Sequence, residues 1–212
     1  MNDADDQTWH RETITAATEE TLILLRDASL LSRCYLAGGT ALALHFGHRT
    51  SQDLDFFTEE LFNEQVLLQR LQKLPAISAV TTGPHTLHAE INGTKVSFLG
   101  YTYPLLGPLS HFLDAAVADS KDIACMKISA IASRGAKRDF VDLYVVAKGF
   151  GLPALLELFR QKFALAQYNM VHILKSLAYF ADAEKDPMPH MLIPLTWDEV
   201  TQFFRREVPR LL

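Results

Sequence analysis

The order of apolar and polar positions divides the chain into a mixed first half and a helical second half. Residues 12–32 set Ile14, Leu22, Leu24, Leu25 and Leu30 among charges, which predicts an amphipathic helix. "CYLAGG" (34–39) is an apolar run ending in two glycines, the pattern of a short buried strand entering a turn. Thr40 stands where a helix N-cap is wanted, Ala41–Phe46 carry the helix, and Gly47 ends it. In "DLDFFT" (53–58) Asp53 and Asp55 fall on one side, Leu54 and Phe56 on the other, which is strand periodicity. Residues 62–74 return to helical spacing and stop at Pro75.

The next stretch is β. "ISAVTTG", "TLHAEI" and "TKVSFLGY" read as strands, the last two joined by Asn92-Gly93, a strong two-residue hairpin signal. Pro104 and Pro108 punctuate a loop. Ser120 is placed to cap a helix running to about Arg134, with Gly135 as its stop, and a second helix covers about 137–149. From Pro153 the pattern is helical in three or four pieces, interrupted by "DPMPHMLIPLT". The expectation is an α+β protein: an α/β core over residues 1–110 and a helical region over 111–212, with the boundary between Tyr101 and Ser120. The pattern leaves open whether the two halves share one core.

Composition narrows the function classes. Hydrophobic residues are 49% of the 212, ample for a packed core. No apolar run approaches the roughly 20 residues that cross a bilayer. The N-terminus "MNDADDQTWH" is acidic and polar, unlike a signal peptide. Cys34 and Cys125 lie in apolar segments, as buried thiols do, and suit a reducing, cytoplasmic setting. The net charge of −5 excludes a nonspecific nucleic-acid binder. The charge is uneven, however: residues 121–148 hold six basic residues against three acids. That window is either a local basic surface or a solvated helix face.

The chemistry concentrates in "GGTALALHFGHRTSQDLDFF" (38–57). Two carboxylates at i, i+2 of a strand share a face about 7 Å apart at Cα. They repel unless water or a cation lies between them. Mg²⁺ (or Mn²⁺) is the natural cation, since it is held by one or two carboxylates plus substrate phosphates. Gly38 and Gly39 let a phosphate tail approach the backbone at a helix N-terminus, and Thr40 can add a hydroxyl. A glycine pair or a D-x-D alone is common as plain structure; strand, GG, helix, strand and D-x-D in this order is far more specific.

This stretch resembles the signature of the DNA-polymerase-β-type nucleotidyltransferase superfamily. Together with "DIACMKISAIASRGAKRDFVDLYVV" (122–146) it resembles, more narrowly, the AbiEii/AbiGii toxin nucleotidyltransferases of bacterial abortive-infection toxin–antitoxin systems. The resemblance implies a nucleotidyltransferase-type mixed sheet flanked by helices, and an NTP as substrate. It also implies a cognate antitoxin and an RNA acceptor, the 3′ end of a tRNA. It implies that a helix lysine, here Lys127, and an aspartate of the R-D-x-x-D-L motif complete the nucleotide site. That aspartate maps to Asp142, with Asp139 as the second choice, and it would orient the lysine or bind the nucleotide. The alternative for Asp139 is a structural pairing with Arg134 or Arg138 that locks two helices together.

Arg49, just before the acidic strand, either touches phosphate or neutralises Asp53. His45 and His48 are three apart, but no third ligand completes a zinc site. The superfamily adds a third carboxylate on a later strand, and none occurs from Thr94 to Tyr103. Ser97 is the polar residue nearest that position. Glu90 is a possible substitute, set opposite Leu87, Ala89 and Ile91, with His88 beside it only across a bulge. The general base is therefore unassigned. Two alternatives stay open: transfer to a small molecule or a protein, and nucleotide binding without turnover.

Overall fold

The structure is a computed structural model and describes residues 8–211, so the first seven residues of the acidic N-terminal segment lie outside the described residues. Thr15 opens α1 (Ala16–Asp27) by accepting the Thr18 N–H. Then come β1 (Tyr35–Ala37), α2 (Gly38–Phe46), β2 (Leu54–Thr58) and α3 (Glu64–Leu71), the last capped by Asn63. An antiparallel run follows: β3 (Ile77–Gly83), β4 (Thr86–Ile91) and β5 (Thr94–Gly100). Asn92 and Gly93 between the last two both take positive φ, 51° and 74°, as a primed two-residue turn requires.

Beyond the loop lie β6 (Ser110–Phe112) and β7 (Ala115–Val117), a hairpin that the sequence pattern did not reveal. Its turn uses Leu113 and Asp114 at φ 50° and 63°, without the glycine or asparagine that marks such turns. The helices follow: α4 (Ser120–Arg134), α5 (Lys137–Phe150), α6 (Leu152–Lys162), α7 (Met170–Leu177) and α8 (Trp197–Glu207). Ser120 is the first residue of α4 rather than its cap. Asp119 caps it instead, accepting the Lys121 N–H at 2.8 Å, because a carboxylate in that place also meets the positive helix end. Thr196 and Glu199 form a reciprocal capping box on α8.

All seven strands join one mixed sheet in the order β3-β4-β5-β2-β1-β7-β6. β2 runs parallel to β5 and β1 parallel to β7, while the other neighbours are antiparallel. The sheet therefore continues past residue 110. Leu54, Phe56, Leu87, Val96 and Phe98 point to its buried face, where α1 and α3 pack and the rings of Phe56 and Phe98 stack at 5.5 Å. The buried apolar residues form one continuous cluster from Leu22 to Val208, so both halves of the chain share a core. In the helical half Phe140 sits between the rings of Phe180, Trp197 and Phe204.

Two links matter for the cleft between sheet and helices. Lys162 on α6 is fully buried and donates to Asp122 on α4 at 2.6 Å and to the Pro104 carbonyl at 2.7 Å. Segment 48–50 is clamped by the C-terminal loop: the Thr50 N–H donates to the His190 carbonyl and the Leu192 N–H to the His48 carbonyl.

Candidate active site

Register places the acids. Antiparallel pairing sets Ala37 opposite Asp55, and parallel pairing sets Asp55 opposite Ser97. The row continues from Ser97 to His88 and from His88 to Thr81. One transverse line on the open face of the sheet thus carries the end of β1, an acid, a hydroxyl and an imidazole. Directly after Ala37 the chain turns into α2.

Gly38 makes that turn at φ +70°, where L side chains are strained. A Cβ on it would lie 2.9 Å from Asp55 Oδ2. A Cβ on Gly39 would collide with the Arg49 guanidinium. The glycine pair therefore does two separate jobs: it lets the acid close on the helix start from one side and the arginine from the other. No side chain caps α2, so its first N–H groups are left for a ligand. Thr40 is not the cap that its position suggests. It lies inside the helix, where its buried hydroxyl donates to the Asp53 carbonyl and meets Ser51 Oγ at 2.9 Å. Thr40 thus ties α2 to Asp53, the residue just before β2.

These groups line a cavity of about 550 Å³, with Asp53, Asp55, Gly38, Gly39 and Thr40 on the sheet side. Lys127 and Arg134 face it from α4, and Asp139 and Arg138 from α5. Small residues of α4, Ser129, Ala130 and Ser133, leave room between the basic ones. Phe57, Leu99 and Tyr101 give the same cavity an apolar, aromatic part.

Behind the basic wall lies a buried ion network. Lys127 Nζ donates to Asp139 Oδ1 at 2.9 Å and lies 2.7 Å from Asp142 Oδ2. Arg49 grips Asp142 with two bonds, Nε to Oδ1 at 2.7 Å and Nη2 to Oδ2 at 2.8 Å. His48 Nε2 donates to Asp142 Oδ1 at 2.8 Å. Arg134 forks Asp139 at 2.8 and 3.0 Å. Burial alone would push both aspartate carboxyls up. The Lys127 charge, together with Arg49 at Asp142 and Arg134 at Asp139, outweighs it. Asp139 is held below the usual range and Asp142 well below it. Three permanent cations against two anions leave the network positive.

The geometry sorts the residues singled out from sequence. Asp53, Asp55, Gly38, Gly39, Thr40, Arg49 and Lys127 all border one cavity. Asp142 does not: it is 0% exposed and sits behind Lys127 and Arg49. Of the two roles open to it, orienting the lysine fits this burial and touching a nucleotide does not. Asp139 reaches the cavity edge and joins α4 to α5 through Arg134. Arg49 meets a third partner, Asp142, that neither of its two readings named. His45 and His48 diverge, the first bonding the Ala118 carbonyl and the second Asp142. Glu90 and His88 share the open face of β4 with no bulge against β5, because i and i+2 of a regular strand point the same way. This corrects the expectation that His88 joins Glu90 only across a bulge. Arg134, Ser129 and Ser133 were also not singled out as site residues, although Ser129 and Ser133 are four apart and Arg134 is seven from Lys127, spacings that share a helix face.

A divalent ion fits the donor set at Asp53 and Asp55. No side-chain hydrogen bond or ion pair occupies either carboxylate among the described residues, and Gly38 leaves Asp55 Oδ2 facing an uncapped helix start. No cluster of three or more metal-ligating side chains exists among the described residues. Two carboxylates suffice for Mg²⁺ when phosphate oxygens complete its shell. No helix of the described residues is long and apolar enough to cross a membrane.

The chain matches the family described as nucleotidyl transferase AbiEii toxin, type IV toxin–antitoxin system, over residues 22–110 and 104–210. It is 40% identical over 184 residues to the uncharacterized protein aq_aa25 of Aquifex aeolicus (strain VF5), covering 84% of this chain and 87% of that one. Among solved structures, MenT4, a nucleotidyltransferase toxin from Mycobacterium tuberculosis, superposes with a TM-score of 0.53 at 16% identity, over 92% of this chain and 86% of that one. JHP933 from Helicobacter pylori gives 0.51 at 16% identity, over 93% of each. At such identities the structural likeness speaks for the fold alone.

Proposed function

The chain belongs to the AbiEii nucleotidyltransferase toxin family, and from that premise we propose that it moves a nucleoside monophosphate from an NTP to an acceptor hydroxyl of RNA, at the 3′ end of a tRNA, with Mg²⁺ held by Asp53 and Asp55. The observation that carries this reading is the closeness of Gly38 to Asp55 Oδ2 at an uncapped helix start, inside a cavity whose other wall is basic. A phosphate tail is gripped there by the N–H groups of Gly38 and Gly39. Lys127 and Arg134 offset its negative charge from the opposite wall. Asp142 and Asp139 hold those cations in place. A divalent ion held by Asp53 and Asp55 would supply Lewis-acid screening of the charge that develops at the α-phosphorus. Phe57 and Tyr101 offer the flat apolar surface a nucleobase needs.

The family supports an antitoxin partner that restrains the enzyme. The test is incubation with labelled NTPs, Mg²⁺ and total RNA, comparing wild type with Asp55→Ala. Label entering tRNA in the wild type only is the expected result. Label entering protein or a small molecule overturns the RNA acceptor. Nucleotide binding without any transfer overturns turnover itself.

A further inference from the structure

The carboxylate pair stands at the junction of two cavities. The larger contains the glycine turn and the basic wall. A second, of about 290 Å³, lies over β3, β4 and β5, and its walls include Asp53, Asp55, Thr81, His88, Lys95 and Ser97. Among the described residues only Asp53, Asp55, His88 and Ser97 border both. Phosphoryl-type transfer needs the attacking oxygen and the leaving group roughly in line on opposite sides of the phosphorus. The glycine turn and the cations take the leaving pyrophosphate on the first side. The acceptor hydroxyl therefore arrives through the second cavity. A third hollow, between segment 49–53 and loop 186–190, reaches Asp53 but not Asp55.

A hydroxyl attacking from that direction must lose its proton to a group beside its path. Two candidates face the second cavity, Glu90 and His88. Glu90 borders only the second cavity, is paired in register with Lys95, and accepts from Ser78 Oγ at 3.2 Å. His88 stands in the same transverse row as Asp55, one strand beyond Ser97, and its Nδ1 lies 3.1 Å from Ser97 Oγ. With Nδ1–H donating to that hydroxyl, the ring is fixed in the tautomer that leaves Nε2 with a free lone pair.

We propose that His88, oriented by Ser97, is the catalytic base that takes the proton of the acceptor hydroxyl, and that the acceptor end enters over β3–β5; this rests on the nucleotidyl-transfer reading above. In the step the O–H bond of the acceptor breaks and its proton passes to His88 Nε2. The oxygen forms a bond to the α-phosphorus, and the bond from that phosphorus to the bridging oxygen breaks to release pyrophosphate. Ser97 is a positioning residue.

The test measures transfer of labelled NTP to total tRNA by wild type, His88→Ala and Glu90→Gln, with and without added imidazole, alongside NTP binding by isothermal titration. His88 is exposed, so its replacement leaves the fold intact. The expected result is kcat lowered about 100-fold or more in His88→Ala, with KM for NTP and NTP binding unchanged and imidazole restoring part of the loss. Glu90→Gln does not reproduce the imidazole-restored loss of kcat. Unchanged kcat in His88→Ala, a loss that imidazole does not restore, or the loss appearing in Glu90→Gln instead each overturns the proposal. A wild-type protein that transfers nothing overturns the functional reading beneath it, and so is distinguishable from failure of His88 alone.

Discussion

Asp142→Asn tests whether the basic wall is built from behind. The change is nearly isosteric but removes the charge that Lys127 and Arg49 share. Both cations are nearly buried, at 5% and 4% exposure, and water cannot replace the lost partner. Breaking a buried pair from one side costs about 3–5 kcal/mol. At about 2–4 °C per kcal/mol for a chain of this size, the melting temperature falls by about 6–20 °C at neutral pH. The pH dependence carries the sharper test. The folded carboxyl is held well below its ordinary value, so its stabilisation is complete above the unfolded value of about 3.9 and fades as pH falls through the folded range. The gap between wild type and Asp142→Asn, followed by circular dichroism, is therefore constant above about pH 5 and narrows below about pH 4. Equal melting temperatures at pH 7, or a gap that widens in acid, would refute the network as described.

Gly38→Ala places a Cβ at φ +70° and 2.9 Å from Asp55 Oδ2. The strain costs about 1–2 kcal/mol, a few degrees in a thermal melt, whereas transfer to RNA is abolished; a variant that keeps wild-type kcat denies the close approach a role. Chelation with EDTA stops transfer, and Mg²⁺ or Mn²⁺ restores it in wild type but not in Asp53→Ala; full activity in excess EDTA rules out the metal reading. Lys162→Ala strands the buried Asp122 carboxylate and lowers stability by about 3–5 kcal/mol, while the double change Asp122→Asn with Lys162→Met recovers at least half of that. A double variant no more stable than the single one shows that the pair does more than satisfy itself.

What the sequence determined by itself is local. The strand, glycine turn, helix and D-x-D strand can be read from residues 34–58 because each rests on spacing within a few positions. Asn92-Gly93 fixes a hairpin for the same reason, and the end of α4 at Gly135 follows from one residue. Where the local signal was weak, the reading failed: the turn at Leu113-Asp114 has no residue that announces it, and Thr40 and Ser120 look like caps until packing assigns their hydroxyls and neighbours. Tertiary structure decided which groups meet. Arg49 and Asp142 are 93 residues apart, and only the packing of α2 on α5 brings the segment after α2 against that helix. The row Asp55–Ser97–His88 depends on strand order, which alternation along one strand does not encode. Periodicity tells a side chain which face to take. The partner it finds there depends on how distant elements pack, because burying a charge is tolerable only where the fold supplies its counter-charge.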